Sequence, residues 1–383
     1  MPNTTTVFLE EHNLDGFLFV GDSICDADMY YLTRFLAGDR FAALAQDGTT
    51  ILVSSMEAGR ARKESTAGQV LSTSEYHLLE KLKSGMAADE AYAQALVQML
   101  RDHSVGRLGV PPSFPAGIFR HLIKYFEVDV LSSPVSRQRE IKTDAEVAAI
   151  ECAQRACERA MRRAVELIGA SEPRGGILLR DGEPLTSERV KSAIEISLLE
   201  DGCEAVQTIV AGGRQAADPH MTGTGPLEAD SPIVIDIFPR SKARRYYADM
   251  TRTVLRGEAS PEVREMYRAV LLAQDRGLAA VSAGVSGRAV HEQVCQAFSE
   301  MGYREREGSG FIHSTGHGVG LQVHEKPSLS EVGGELVAGH VVTVEPGLYY
   351  PEIGGVRLED LAVVAQGGCR NLTRFNRELI LNR

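Results

Sequence analysis

The run Ile233-Val234-Ile235-Asp236-Ile237-Phe238 sets a carboxylate in the middle of an apolar stretch. Continuous apolar runs of strand length are buried on both faces. A carboxylate in such a strand is costly unless it is paired or metal-bound. Any fold of this chain must therefore bring a cation to Asp236. A second strand-like run, Tyr246-Tyr247-Ala248, leads into Asp249, and the connection PRSKARR between the runs predicts a hairpin. On an antiparallel pair the two aspartates are expected to face each other. An arginine of the same connection is the alternative partner for the buried acid.

The stretch VVTVEPGLYYPEIGGVRLEDLAVV at 341–364 repeats the pattern. Glu345 closes an apolar run just before Pro346-Gly347, and Glu359 stands beside Arg357 and Asp360 ahead of another. Taken singly, strand-end solvation or a salt bridge accounts for either one. The segment FIHSTGHGVGLQVHEKP at 311–327 sets His313, His317 and His324 among Gly316, Gly318 and Gly320. Glycines allow close backbone approach, which lets imidazoles converge. A Gly-rich surface turn with incidental histidines is the plainer alternative. Together, two Asp, two Glu and at least one His fall in β context. Four carboxylates offset the charge of two divalent cations, which sit roughly 3.5–4 Å apart in hydrolytic two-metal sites. Mixed oxygen and nitrogen donors suit Mn, Co, Fe or Zn better than Ca.

Charge and length exclude other classes. The 383 residues, as a soft prior, hold roughly two to three domains. With 41 Lys+Arg against 52 Asp+Glu, the formal charge is −11, which argues against nucleic-acid and anionic-membrane partners. No uncharged apolar run approaches the ~18 residues of a spanning helix. The start MPNTTTVFLEEHNLDG lacks a basic region, so no signal peptide is expected. The six cysteines are scattered without a CxxC pair and read as reduced thiols of a cytoplasmic protein.

Along the chain, β-rich runs at 16–20, 41–46, 49–55 and 127–133 alternate with helical patterns at 88–103 and 115–126. This predicts a smaller α/β domain over 1–134. A boundary follows at Ser132-Ser133-Pro134. Thr143-Asp144-Ala145-Glu146 is a capping-box pattern opening a helix to about 168. Further helices are expected near 187–200, 261–283 and 287–302, with strands elsewhere, giving an α+β domain over 135–383. The stretch 171–186 reads as a loop or mobile hairpin.

At this point the motifs ADMTRT, HSTGHGVGLQVHE, TVEPGLYY and GGVRLED, with the helix start REIKTDAEV, resemble those of the pita-bread metallopeptidases. The branch resembled is that of Xaa-Pro aminopeptidases and Xaa-Pro dipeptidases (prolidases). MYYLTRF at 29–35 is similar to part of the creatinase-like N-terminal domain of that branch. The resemblance implies a pita-bread (creatinase/aminopeptidase) catalytic domain behind the α/β domain. It implies two divalent ions, Mn foremost, with Co, Zn or Fe as alternatives. Their ligands would be Asp236, Asp249, His317, Glu345 and Glu359, with Asp249 and Glu359 bridging. His220 and His324 would be substrate-side histidines, His313 would lie near the leaving proline, and Arg357 would orient ligands. Glu345 would also shuttle a proton from a metal-bridging hydroxide to the proline nitrogen. The implied substrate is a peptide with proline second, and the implied state a homodimer.

Two departures stand out. The Asp236–Asp249 connection is two residues longer than is usual in the family, an even insertion that preserves strand alternation. The stretch 171–186 is also longer, as a lid, a dimer contact or a plain loop. A metal-dependent hydrolase or lyase of a small non-peptide substrate is the alternative activity, and an inactive interaction module the alternative of another class. The five intact ligands argue against the latter.

Overall fold

Strand Gly16–Gly21 sends Phe17 and Phe19 to one side, where they meet Met29, Phe35 and Ile51, and Leu18 and Val20 to the other, where they meet Leu44, Leu96 and Leu100. A strand apolar on both faces needs cover on both, and helices provide it. The computed structural model describes residues 4–304 and 308–381. Within it the chain divides into two units, Met1–Arg139 and Glu140–Arg383.

The first unit is a six-stranded sheet in the order Gln69–Ser72, Thr49–Val53, Phe41–Ala45, Gly16–Gly21, Arg107–Val110, Glu127–Val130. The two hairpin pairings around Phe41–Ala45 are antiparallel and the other three pairings are parallel. The strands QVLS and RLGV escape sequence patterning because four residues are too few to show a period.

The second unit pairs helices with antiparallel sheets. Helix Asp144–Gly169 begins at Thr143, whose side chain accepts from the Glu146 N–H while the Glu146 carboxylate accepts from the Thr143 N–H. Such a cap stabilises by about 1 kcal/mol. Its inner face (Ala153, Ala156, Ala160, Ala164) packs with helix Ser187–Glu200 on a sheet of Ile209–Gly212, Ile233–Ile237 and Met250–Val254. Helices Pro261–Ala280 and Gly287–Glu300 form the second pair. Beside them lies a sheet ordered Glu325–Leu329, Gly316–Gly318, Val341–Val344, Asp360–Ala365, Gly368–Asn371, together with the ribbon Gly347–Tyr350/Gly354–Arg357. This is the pita-bread architecture, an α+β fold.

Two expectations need correction. Of the loop and hairpin readings for 171–186, the loop is replaced by hairpin pairing extended to a three-stranded meander of Glu172–Arg174, Ile177–Arg180 and Glu183–Pro184, anchored in the core by fully buried Leu178 and Leu185. Its turns use Gly175, Gly176 and Gly182 at positive φ. The two aspartates do not face each other either, since the residue opposite Asp236 is Thr251. The connection carries a short strand, Arg240–Ser241, that pairs with Cys203–Glu204. Asp249 lies two residues before Thr251 and so shares its face of the sheet with Asp236, displaced along the strand.

Candidate metal centre

Asp236 is buried in mid-strand, and its charge is met by Arg357, whose Nη2 donates to Oδ2 at 2.9 Å. The arginines of the 239–245 connection serve elsewhere: Arg240 and Arg245 both pair with Glu204. Arg357 also donates from Nε to the Thr251 hydroxyl at 3.1 Å and from Nη1 to the Tyr349 hydroxyl at 2.9 Å. Burial opposes its charge, but the surrounding oxygens hold its pKa well above the ordinary arginine value.

Thr251 joins two of the acids. Its Oγ1 lies 2.8 Å from Asp236 Oδ1 and 2.8 Å from Glu359 Oε2. A hydroxyl has one hydrogen and donates to one of them at a time. The other contact keeps its length when that carboxyl itself carries a proton. Burial, reinforced by neighbouring carboxylates, raises Asp236, and raises Asp249 and Glu359 well above the usual carboxylate range. Without cations, burial and mutual repulsion press Asp249 and Glu359 towards their protonated forms, whereas the charge of Asp236 is supported by Arg357.

His317 is set by a bulge between His317 and Gly318, and its N–H donates to the Thr343 hydroxyl at 3.0 Å. Its Nε2 lies 3.2 Å from Glu345 Oε1 and 3.8 Å from Asp249 Oδ2. Burial would lower this imidazole, yet the Glu345 carboxylate outweighs burial and pushes it up to about 9. Glu345 is correspondingly lowered to about 2, against burial, by its contact with His317. The donor atoms of Asp249, His317 and Glu359 all lie within 4.8 Å of one another. Glu359 Oε1 is buried with no hydrogen-bond partner. A partnerless buried carboxylate oxygen amid crowded acids and an imidazole fits a divalent cation in both charge and donor chemistry.

The remaining histidines differ. His313 is enclosed: its Nδ1 donates to Ser314 O at 2.7 Å, and its Nε2 accepts from the Tyr349 hydroxyl at 2.9 Å. With Arg357 donating to the tyrosine oxygen, the network assigns His313 as the neutral Nδ1–H tautomer. Burial lowers its pKa accordingly. His324 is exposed and packs edge-on against His317 with ring centroids 4.3 Å apart. His220 is exposed, its backbone N–H held by Asp218 Oδ1 at 2.9 Å. The structure thus gathers Asp236, Asp249, His317, Glu345, Glu359 and Arg357 into one buried cluster, with His220, His313 and His324 at its border. Sequence reading missed Thr251 and Tyr349. Strand parity was a signal for Thr251, which shares a face with Asp249; none marked Tyr349.

Residues 148–366 match Metallopeptidase family M24, and residues 4–141 match the Creatinase/Prolidase N-terminal domain. An Xaa-Pro dipeptidase of Pyrococcus horikoshii is 29% identical over 382 residues, covering 97% of this chain and 96% of its own. The solved structure of an Xaa-Pro dipeptidase from Bacillus anthracis superposes with a TM-score of 0.83 at 25% identity, covering 98% of each chain. That of an X-Pro aminopeptidase from Thermotoga maritima gives 0.79 at 26% identity, covering 96% of this chain and 98% of its own. The chain belongs to metallopeptidase family M24. Its centre is accordingly one for divalent metal ions. Among the described residues no helix is long and apolar enough to cross a membrane.

Proposed function

We propose that this chain hydrolyses Xaa-Pro bonds, at the N-terminus of peptides or in dipeptides, with two divalent ions held by Asp236, Asp249, His317, Glu345 and Glu359. By the family resemblance, Asp249 and Glu359 would hold both ions, Asp236 one of them, and His317 with Glu345 the other. The reading rests on the convergence of Asp249, His317 and Glu359 around the partnerless Glu359 Oε1. The dipeptidase and aminopeptidase relatives support the Xaa-Pro specificity.

When bound, the ions acidify a water towards a pKa of ~7 and polarise the scissile carbonyl. Glu345 takes the proton of the attacking water and delivers it to the departing proline nitrogen. His324 and His220 donate to the carbonyl oxygen as it gains charge. Arg357 holds Asp236 in place. An Xaa-Pro bond is a tertiary amide without an N–H, so recognition falls on ring shape rather than on a backbone donor. Manganese as the working ion, a homodimer and a cytoplasmic location complete the proposal. None of the six cysteines is joined in a disulfide, which supports a reducing compartment. Residues 135–383 are taken as the catalytic domain and 1–134 as the appended one.

The test is turnover on Ala-Pro, Ala-Pro-Ala, Ala-Ala and creatine, with metal content measured on the same sample. Cleavage of Ala-Pro or Ala-Pro-Ala with two ions per chain is expected. Turnover of creatine alone, or none of the four, refutes the peptidase reading.

A further inference from the structure

Lys142 and Glu325 form an ion pair deep inside the second unit, Nζ to Oε1 2.6 Å, with side chains 1% and 8% exposed. They are 183 residues apart. Removing two charges from water is expensive, and the attraction between them offsets that only with good geometry and further hydrogen bonds. Those are present: Lys142 also donates to Glu140 O at 3.2 Å, and Glu325 Oε2 accepts from the Gln322 N–H at 3.4 Å.

The surroundings of Glu325 give the pair its meaning. Its carboxylate lies directly against Gly320, where a Cβ would come within 2.2 Å of Oε1. Gly320 O in turn accepts from the Tyr247 N–H at 2.8 Å, on the run that leads into Asp249. The turn Gly320–Glu325 is therefore folded around the Glu325 carboxylate, and Lys142 neutralises the carboxylate from behind. His324 is the residue next to Glu325 and is held against His317 by ring contact. Four residues after Lys142, Glu146 accepts from the Tyr246 hydroxyl at 2.6 Å. The start of helix Asp144–Gly169 thus reaches both segments, one ending at Asp249 and the other presenting His324.

We infer that Lys142 is a positioning residue: its buried pair with Glu325 fixes the turn that presents His324, and so controls turnover without touching substrate. The inference rests on the reading of His324 as a substrate-side donor. A neutral side chain at 142 removes the cation that lies 2.6 Å from Glu325 Oε1, and the turn that wraps the carboxylate loosens.

The experiment uses the metal-loaded full chain. Either single change strands a buried ion, so the principal variant is Lys142→Met/Glu325→Gln, which removes both charges together. For Ala-Pro cleavage the expected result is a fall in kcat of about 10–100-fold, the scale of a 1 Å misplacement, with KM and metal content unchanged. In a His324→Ala background the same pair of changes is expected to cause no further fall. A readout apart from activity is the His324 ring-proton resonance of the zinc-loaded protein, identified by its loss in His324→Ala, which is expected to shift and broaden in the double variant. An unmoved resonance, or an equal fold-loss in both backgrounds, overturns the inference. If His324→Ala alone leaves kcat unchanged, the role of His324 falls, and the resonance alone decides whether Lys142 positions the ring.

Discussion

Arg357 Nη2 donates to Asp236 Oδ2 at 2.9 Å across 121 residues of chain. Both side chains are almost wholly enclosed, and the same guanidinium reaches Thr251 and Tyr349. Removing one partner of a buried pair leaves an uncompensated charge, at about 3–5 kcal/mol. Arg357→Met is therefore expected to lower unfolding stability by that amount, read as a shift in the denaturant midpoint. Arg357→Lys keeps the charge but loses the planar fork. It should recover only part of the stability and little of the turnover. Full activity in Arg357→Lys would show that a point charge suffices.

Asp249→Ala and Glu359→Ala each remove one acid from a crowd of buried like charges. In chelated protein these variants are expected to be at least as stable as the parent, because burial and mutual repulsion disfavour the charged acids. What they should lose is stabilisation by added metal, about 2.7 kcal/mol at a metal concentration 100-fold above Kd, together with metal uptake and turnover. Calorimetry with and without manganese checks this, and an Asp249→Ala protein with full turnover would refute the bridging role.

Exhaustive chelation is expected to abolish activity, and addition of Mn or Co to restore it, since both suit mixed carboxylate and imidazole donors. Activity indifferent to chelation would contradict a metal-dependent mechanism.

The chelated protein should grow less stable as pH rises from 6.5 to 9. His317 is raised from 6.5 to about 9, so its stabilising contribution is complete below 6.5 and is lost as pH passes 9. Asp249 and Glu359, raised by burial and mutual repulsion, contribute with the same sign and also lose stability on going alkaline. Glu345 runs the other way: lowered from 4.5 to about 2, it stabilises above 4.5 and fails only in strong acid. Metal binding replaces the protons and should flatten the alkaline decline. Unfolding temperatures at each pH, with and without metal, measure both slopes; a flat profile for the chelated protein would contradict the proton-loaded cluster.

Much of the site was readable because its acids interrupt apolar runs. Asp236 within IVIDIF and Glu345 after VVTV announce themselves as buried charges that need partners. The partners were less readable, because they are set by tertiary packing. The arginine that meets Asp236 is not one of the adjoining connection, the alternative the local sequence offers, but Arg357 on strand Gly354–Arg357, which only the family resemblance marks. The pairing of Asp236 with Thr251 rather than Asp249 is a matter of register across a long connection, which leaves no periodic trace in the sequence. Thr251 was hidden for a different reason: a threonine in a β run is ordinary, and only its position between two carboxylates gives it a role.

His313 carries one more consequence. Its two ring nitrogens are engaged by Ser314 and Tyr349, and Phe311 lies edge-on beside it with centroids 5.3 Å apart. With both nitrogens committed inside the protein, this ring has no hydrogen bond left to give or take, so any further neighbour meets it through carbon alone.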